Sequence, residues 1–368
     1  MSLVPKHIKN LKPYVSGKSQ NEFKREFGNM SSIKLASNEN PLGSSPKSIK
    51  KVQEAISYVN RYPDSSGYEL RMALSKKYKL SINNVILGAG SEGIMSNIMR
   101  TFLSDKDEIV SSKNSFIGFR VLADASGFKA NWAPMKDFHY DLKAIAGMID
   151  SNTKIVYLAN PDNPTGTYFK KNEFDDFMKE VPSRVLIILD EAYYEYALGV
   201  SDYPDSMLYR YDNVITLRTF SKIYGLAGFR VGYGFAHEEL ISNLMKVKLP
   251  FEPNILAQEA ALGALDDDNF LLQSIDLVKT QKEILINFFI KNGIQYIDSQ
   301  TNFITIVFDN EKLSQSFSSH LLSNGVIVRN LIAFDLGNCC RITIGTKEEN
   351  LIFMKECVDA MEKIEKVI

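Results

Sequence analysis

The chain has 368 residues, 45% of them hydrophobic, with 43 Lys and Arg against 44 Asp and Glu, a length that suits one large or two medium domains around a substantial core. A net charge of −1 argues against duplex nucleic acid, where Lys and Arg must neutralise phosphates, and no apolar run reaches the ~20 residues of a membrane helix. Three cysteines, two of them adjacent (Cys339, Cys340), make no disulfide framework, and four scattered histidines lack metal-ligand spacing, so the chain reads as soluble and cytosolic, with no metal site.

The first 45 residues, with Pro5, Pro13, Gly17, Pro41 and Gly43, read as an extended arm. Amphipathic helices are expected over 48–59 and 68–78 from their i, i+3, i+4 spacing. Short apolar runs then alternate with helix-compatible sequence, predicting strands over 85–87, 108–111, 129–133, 154–159, 185–189, 214–217 and 231–235. Continuous β-branched runs of this kind are what parallel strands look like when helices cover both faces. The run 231–235 is the candidate antiparallel exception. After Pro250 the pattern changes to a long helical stretch over 255–292. Strands over 303–308, 326–329 and 341–344 follow, with helices over 312–323 and 347–364. The fold class is therefore α/β: an arm over 1–45 packed on the small domain, a large domain over 46–252 with a mostly parallel seven-stranded sheet, and a smaller α/β domain over 253–368. A site is expected at the carboxyl ends of the large-domain strands, between the two layers.

Gly88-Ala89-Gly90-Ser91-Glu92-Gly93 matches the dinucleotide fingerprint and opens a helix. The acid that reading needs belongs at the far end of the next strand, whereas Asp107 and Glu108 stand at its near end. A helix start that offers free amides to any phosphate remains, and so does a plain strand-to-helix turn.

Three later clusters each close a predicted strand. Asn160-Pro161-Asp162-Asn163-Pro164-Thr165-Gly166 has strong turn chemistry of its own. Asp190-Glu191-Ala192-Tyr193 ends the most apolar strand, where an acid must be paired to stay ionised. Thr219-Phe220-Ser221-Lys222, with Arg230 eight residues on, sets a lysine beside two hydroxyls and an arginine in a glycine-rich loop. A lysine is ordinarily a solvated surface group, but one cofactor accounts for the whole set. Pyridoxal 5'-phosphate needs a lysine for its Schiff base, an acid against its ring nitrogen, donors to its phenolic oxygen, a phosphate cup and an aromatic face. Lys222, Asp190, Asn163 with Tyr193, the Gly90, Ser91 and Glu92 helix start with Thr219, Ser221 and Arg230, and Phe116 fill those roles.

The order Gly-x-Gly, Asn-Pro-Thr-Gly, Asp-Glu-Ala-Tyr, Ser-Lys and Arg resembles the fold-type I pyridoxal-phosphate aminotransferases. Lys12-Pro13-Tyr14, Ser37-Asn38-Glu39-Asn40-Pro41, Arg61-Tyr62-Pro63-Asp64 and Arg341-Ile342-Thr343-Ile344-Gly345 resemble the histidinol-phosphate aminotransferase family within them. The resemblance implies that Lys222 holds the cofactor and shuttles a proton, that Asp190 keeps the ring nitrogen protonated, and that Asn163 and Tyr193 bind its phenolic oxygen. It implies a homodimer in which Tyr62 reaches the neighbouring site, and a substrate pocket with Tyr14, Asn38, Arg329 and Arg341. The implied reaction passes the amino group of histidinol phosphate to 2-oxoglutarate in histidine biosynthesis. Aromatic amino-acid transamination and decarboxylation of threonine phosphate fit the same resemblance, and an NAD-dependent oxidoreductase rests on residues 88–93 alone. Three features depart from the family: Phe116 where tyrosine is frequent, the loop 330–337, and Glu252 where asparagine is common.

Overall fold

A computed structural model describes residues 3–11, 13, 17–206 and 211–365. Thirteen strands are seen among them: β1 (Ile33–Lys34), β2 (Val85–Gly88), β3 (Glu108–Ser112), β4 (Lys129–Ala133), β5 (Thr153–Ala159), β6 (Leu186–Asp190), β7 (Val214–Thr219), β8 (Gly232–Phe235), β9 (Tyr296–Ile297), β10 (Phe303–Val307), β11 (Val326–Ile327), β12 (Arg329–Asn330) and β13 (Cys339–Thr343).

Seven of them form one sheet in the order β2-β8-β7-β6-β5-β3-β4. All its pairings are parallel except those of β8, which runs antiparallel to both β2 and β7. Each run expected in this region is a strand, and 231–235 is the antiparallel one. The alternation along β5 and β6 explains the continuous apolar runs. Ile155, Tyr157, Leu186 and Ile188 pack into the core on one face. Val156, Leu158, Ile187 and Leu189 pack into the core on the other. Both faces are covered, so the middles of these strands are apolar and polar residues stand at their ends.

A second, antiparallel sheet runs β12-β13-β10-β9. The long helices Asp268–Lys291 and Lys347–Glu365 pack against it, with Leu285, Phe289, Phe317, Ile342 and Phe353 at its core. Near the amino terminus, β1 pairs in parallel with β11.

Three local differences from the sequence expectations have physical causes. The helix expected over 255–292 is two, Ile255–Leu265 and Asp268–Lys291. It breaks where the Asp267 carboxylate accepts the Phe270 N–H and begins a new helix. The stretch 326–329 serves two sheets, Val326–Ile327 pairing with β1 while Arg329–Asn330 pairs with β13. The arm is not uniformly extended, because residues Gln20–Phe27 form a helix closed by a reciprocal Ser19–Glu22 capping box, with Phe23 buried beneath it. Among the described residues no helix is long and apolar enough to cross a membrane.

Candidate active site

Parallel register brings the ends of three strands together: Ala159 pairs with Asp190, and Asp190 with Leu217, two residues before Thr219. The loops leaving those ends enclose a cleft of roughly 200 Å³. Asn163, Asp190, Tyr193, Thr219, Ser221 and Lys222 line it, with Ser91, Glu92 and Phe116 from two helix starts and Arg230 from the loop before β8. These residues span 140 positions of sequence and converge because parallel strands deliver their carboxyl ends to one edge.

The floor could receive an anion. Helix Gly90–Phe102 begins without a side-chain cap, leaving its first N–H groups for a ligand. Gly90 sits at φ 74°, and a Cβ there would come within 2.7 Å of the Arg230 guanidinium. Gly232 is equally constrained, since a Cβ would collide with the backbone of Gly90 and Ser91. Arg230 donates to Ser221 Oγ at 3.3 Å and pairs with the Glu92 carboxylate at 3.2 Å. That pair is about half exposed, so it would cost little to exchange Glu92 for another anion at Arg230. The Phe116 ring folds back over the helix start, and Gly118 makes room for it: a Cβ at 118 would lie 2.5 Å from the ring and 2.6 Å from Glu92.

Lys222 is half-buried, its Nζ 3.4 Å from the Ser37 carbonyl and 5.6 Å from the centre of the Tyr193 ring. Asp190 is 4% exposed. Burial pushes its carboxyl up to about 7, against the Tyr157 hydroxyl and the Ala192 N–H, which favour the ionised form. The Tyr193 hydroxyl accepts from Asn38 at 2.8 Å, and Asn38, held at φ 58°, is fixed by Thr343. Asn38 is therefore buried behind Tyr193.

The two arginines lie on the second sheet as a directly opposed cross-strand pair, Arg329 on β12 and Arg341 on β13. They are 9% and 5% exposed. Arg341 donates to the Asn163 side chain and, at 2.9 Å, to the Ala36 carbonyl, so it ties the second sheet to the 160–166 loop. Like charges facing each other across a ladder are unfavourable unless an anion joins them. Tyr62 is elsewhere: it is 79% exposed and stacked on Phe251 at 4.2 Å. Tyr14 lies outside the described residues.

Several supporting groups escaped sequence reasoning. Asp162 is buried, its carboxyl pushed up to about 6 by desolvation. It accepts from Ser115 at 2.6 Å and Thr165 at 2.9 Å, bracing the loop that carries Asn163. Tyr157 donates to Asp190 from the middle of β5. Beneath the strand ends, Arg218 and Glu191 form a wholly buried ion pair at 2.7 Å. Their signal was adjacency, since each flanks a residue already singled out. The acid of the dinucleotide reading is occupied, because Glu108 is held by Lys129 and Asn131 at the amino end of β3.

A lysine and a buried acid on neighbouring strand ends, over a helix start that could receive an anion and between a mostly parallel sheet and a smaller antiparallel one, define the fold-type I transferase class. The chain belongs to the aminotransferase class I and II family, which it matches over residues 31–356. It is 40% identical over 362 residues to histidinol-phosphate aminotransferase 2 of Carboxydothermus hydrogenoformans, covering 98% of this chain and 99% of that one. It is also 40% identical to histidinol-phosphate aminotransferase of Anaeromyxobacter sp. strain Fw109-5, covering 99% of both. Among solved structures, histidinol-phosphate aminotransferase from Sinorhizobium meliloti, in complex with pyridoxal-5'-phosphate, superposes with a TM-score of 0.91. That match is at 25% identity, over 100% of this chain and 99% of the other.

Proposed function

We propose that this chain is a pyridoxal-phosphate-dependent aminotransferase that moves the amino group of histidinol phosphate to 2-oxoglutarate, yielding imidazole-acetol phosphate and glutamate in histidine biosynthesis. The observation that carries the reading is the convergence of Lys222 and buried Asp190 with the start of helix Gly90–Phe102 in one cleft. The site fits the cofactor in its own terms: glycines at 90 and 232 leave the backbone amides bare, and a buried carboxylate awaits a cation.

Bound there, pyridoxal phosphate supplies a reactive aldehyde carbon and an electron-accepting ring. Ser91 and Glu92 amides, Thr219, Ser221 and Arg230 hold its phosphate. Phe116, which lines the cleft, would offer the ring an aromatic face. Asn163 and Tyr193 donate to the phenolic oxygen, Tyr193 being oriented by Asn38. Asp190 would hold a proton on the ring nitrogen, since an ionised carboxylate in a buried site is most favourable beside a cation. Lys222 would hold the cofactor through its amine and, as a base, would move the proton at substrate Cα. Arg341 and Arg329 receive the substrate's anionic end through their planar forks.

A homodimer is the proposed working form. Ile56, Tyr58, Val59, Tyr62, Leu249 and Phe251 are each exposed, and Tyr62 stacks on Phe251; exposed apolar side chains of this kind suit contact with a second copy, and Tyr62 would complete the neighbouring phosphate cup. The arm, large unit and small unit, divided at 45/46 and 252/253, would then frame each cleft. Three unpaired thiols, Cys339, Cys340 and Cys357, fit a cytoplasmic location.

The deciding experiment adds histidinol phosphate to purified holoprotein without an oxo acid. The visible absorption of the cofactor should disappear and return on adding 2-oxoglutarate, with glutamate formed in equal amount. Absence of glutamate, or release of carbon dioxide from threonine phosphate in its place, would exclude this assignment.

A further inference from the structure

Within β5 the neighbours Ile155, Val156 and Leu158 are purely apolar, yet position 157 carries a phenol with no access to solvent. A buried hydroxyl is costly unless bonded. The Tyr157 hydroxyl has its bond, 2.8 Å to Oδ2 of Asp190 across the β5–β6 pair. The rest of the side chain is rigidly held: its ring stacks on Phe119 with centres 3.9 Å apart at 9°, and its carbonyl accepts from Ser111 at 2.8 Å. A phenylalanine would fill this slot equally well, so the hydroxyl is there for the carboxylate.

We infer that Tyr157 is a positioning residue for the transfer reaction, its phenol fixing the Asp190 carboxylate in one orientation and favouring the ionised form that would hold the cofactor. This rests on the cofactor reading above. The Ala192 N–H occupies Oδ1 at 3.2 Å from the loop side, so the two donors grip the carboxylate from two elements. Its charged and titratable surroundings are Lys222 after β7, which also favours the anion, Glu92 on the helix start, which opposes it, and the Tyr140 phenol. Burial and the nearby acid hold the Tyr157 phenol well above the ordinary range for tyrosine, so it remains a donor at every working pH. Lys222 would be engaged with the cofactor, whereas Tyr157, stacked on Phe119 and tied to Ser111, would remain a donor to the carboxylate.

The test uses Tyr157→Phe, which retains the stack on Phe119 and deletes only the donor. In cofactor-free protein, carbon NMR of the Asp190 carboxyl should show its titration midpoint raised by about one to two pH units, roughly ten- to a hundredfold in proton affinity, as expected for a lost hydrogen bond to a charged group. In holoprotein, pyridoxal-phosphate affinity at pH 7 should fall by a comparable factor and recover as pH rises past the new midpoint, and kcat should fall with KM for the amino donor unchanged. An Asp190→Asn background should erase these effects, because the two residues act as one unit. An unshifted Asp190 midpoint, or an effect of Tyr157→Phe that persists beside Asp190→Asn, would overturn the inference. Wild-type protein that takes up no pyridoxal phosphate would defeat the cofactor reading instead, and the titration in cofactor-free protein distinguishes the two failures.

Discussion

Replacing Asp190 by asparagine should stabilise the cofactor-free protein at neutral and alkaline pH while weakening it as a receptor for the cofactor. The reasoning is linkage. Burial raises the Asp190 carboxyl from 3.8 in an open chain to about 7. Between those two values the folded protein keeps a proton that the unfolded chain has released, so this group's contribution to stability falls as pH rises through the window and is level above it. From pH 5 to pH 8 the wild type should therefore lose about 3 kcal/mol relative to Asp190→Asn, at 1.36 kcal/mol for each pH unit below the folded value. The asparagine carbonyl can still accept from Tyr157, and its amide, carrying no charge, removes the pH dependence. With an unfolding entropy of about 2.1 cal/mol/K per residue, ~3 kcal/mol corresponds to ~4 °C in a chain of this length. Scanning calorimetry of both cofactor-free proteins across pH 5 to 8 reads the gap directly. A gap that stays constant over this range would refute the reasoning, since it would mean that Asp190 is ionised in the folded protein throughout. Saturating pyridoxal phosphate should reverse the order, because a buried carboxylate beside a cation is stabilised and an amide there is not.

Lys222→Ala should abolish amino transfer while leaving the melting temperature within a few degrees of wild type, and borohydride followed by peptide mass spectrometry should find the cofactor on Lys222 in wild type only; near-normal turnover would contradict its role. Arg329→Ala should raise KM for histidinol phosphate by roughly ten- to a hundredfold, the worth of a charge-assisted hydrogen bond, with little change for a donor lacking the phosphate; equal loss for both donors would place Arg329 outside the substrate pocket. Arg341→Ala should weaken cofactor as well as substrate, because Arg341 also holds Asn163; equilibrium dialysis with pyridoxal phosphate would expose an error here if affinity were unchanged.

Much of this architecture is legible from residue order. The central strands β5 and β6 carry continuous apolar stretches because both their faces are covered, and that is the mark by which they are read. The site-bearing loops announce themselves by composition: Asn-Pro-Asp-Asn-Pro-Thr-Gly cannot continue a strand, and Asp190 cannot be buried idle. Short elements were harder to read. The helix Gln20–Phe27 carried a legible capping signal at Ser19 and Glu22, yet it lies among prolines and glycines that suggest an extended arm. Strand Tyr296–Ile297 has only two residues and owes its form to pairing with β10. Tyr157 was hidden for another reason. In a run of β-branched and aliphatic residues a tyrosine reads as one more apolar side chain, and only the register of β5 against β6 reveals what its hydroxyl meets.

That register also explains why functional and structural residues alternate at the strand ends. Side chains one residue apart in a strand face opposite ways. Asp190 lines the cleft and Glu191, next to it, is buried beneath; Thr219 lines the cleft and Arg218, before it, is buried beneath. The guanidinium of Arg218 bonds the Glu191 carboxylate at 2.9 Å through Nε and lies 3.4 Å from the centre of the Tyr194 ring. A buried ion pair adds little net stability over apolar packing, but breaking it strands a charge at a cost of several kcal/mol. Slipping β6 against β7 by one residue would break it and would also exchange the faces of Asp190 and Thr219. The pair thus penalises the misregister that would take the acid away from the lysine, and the relative placement of Asp190 and Lys222 follows from a contact that touches neither of them.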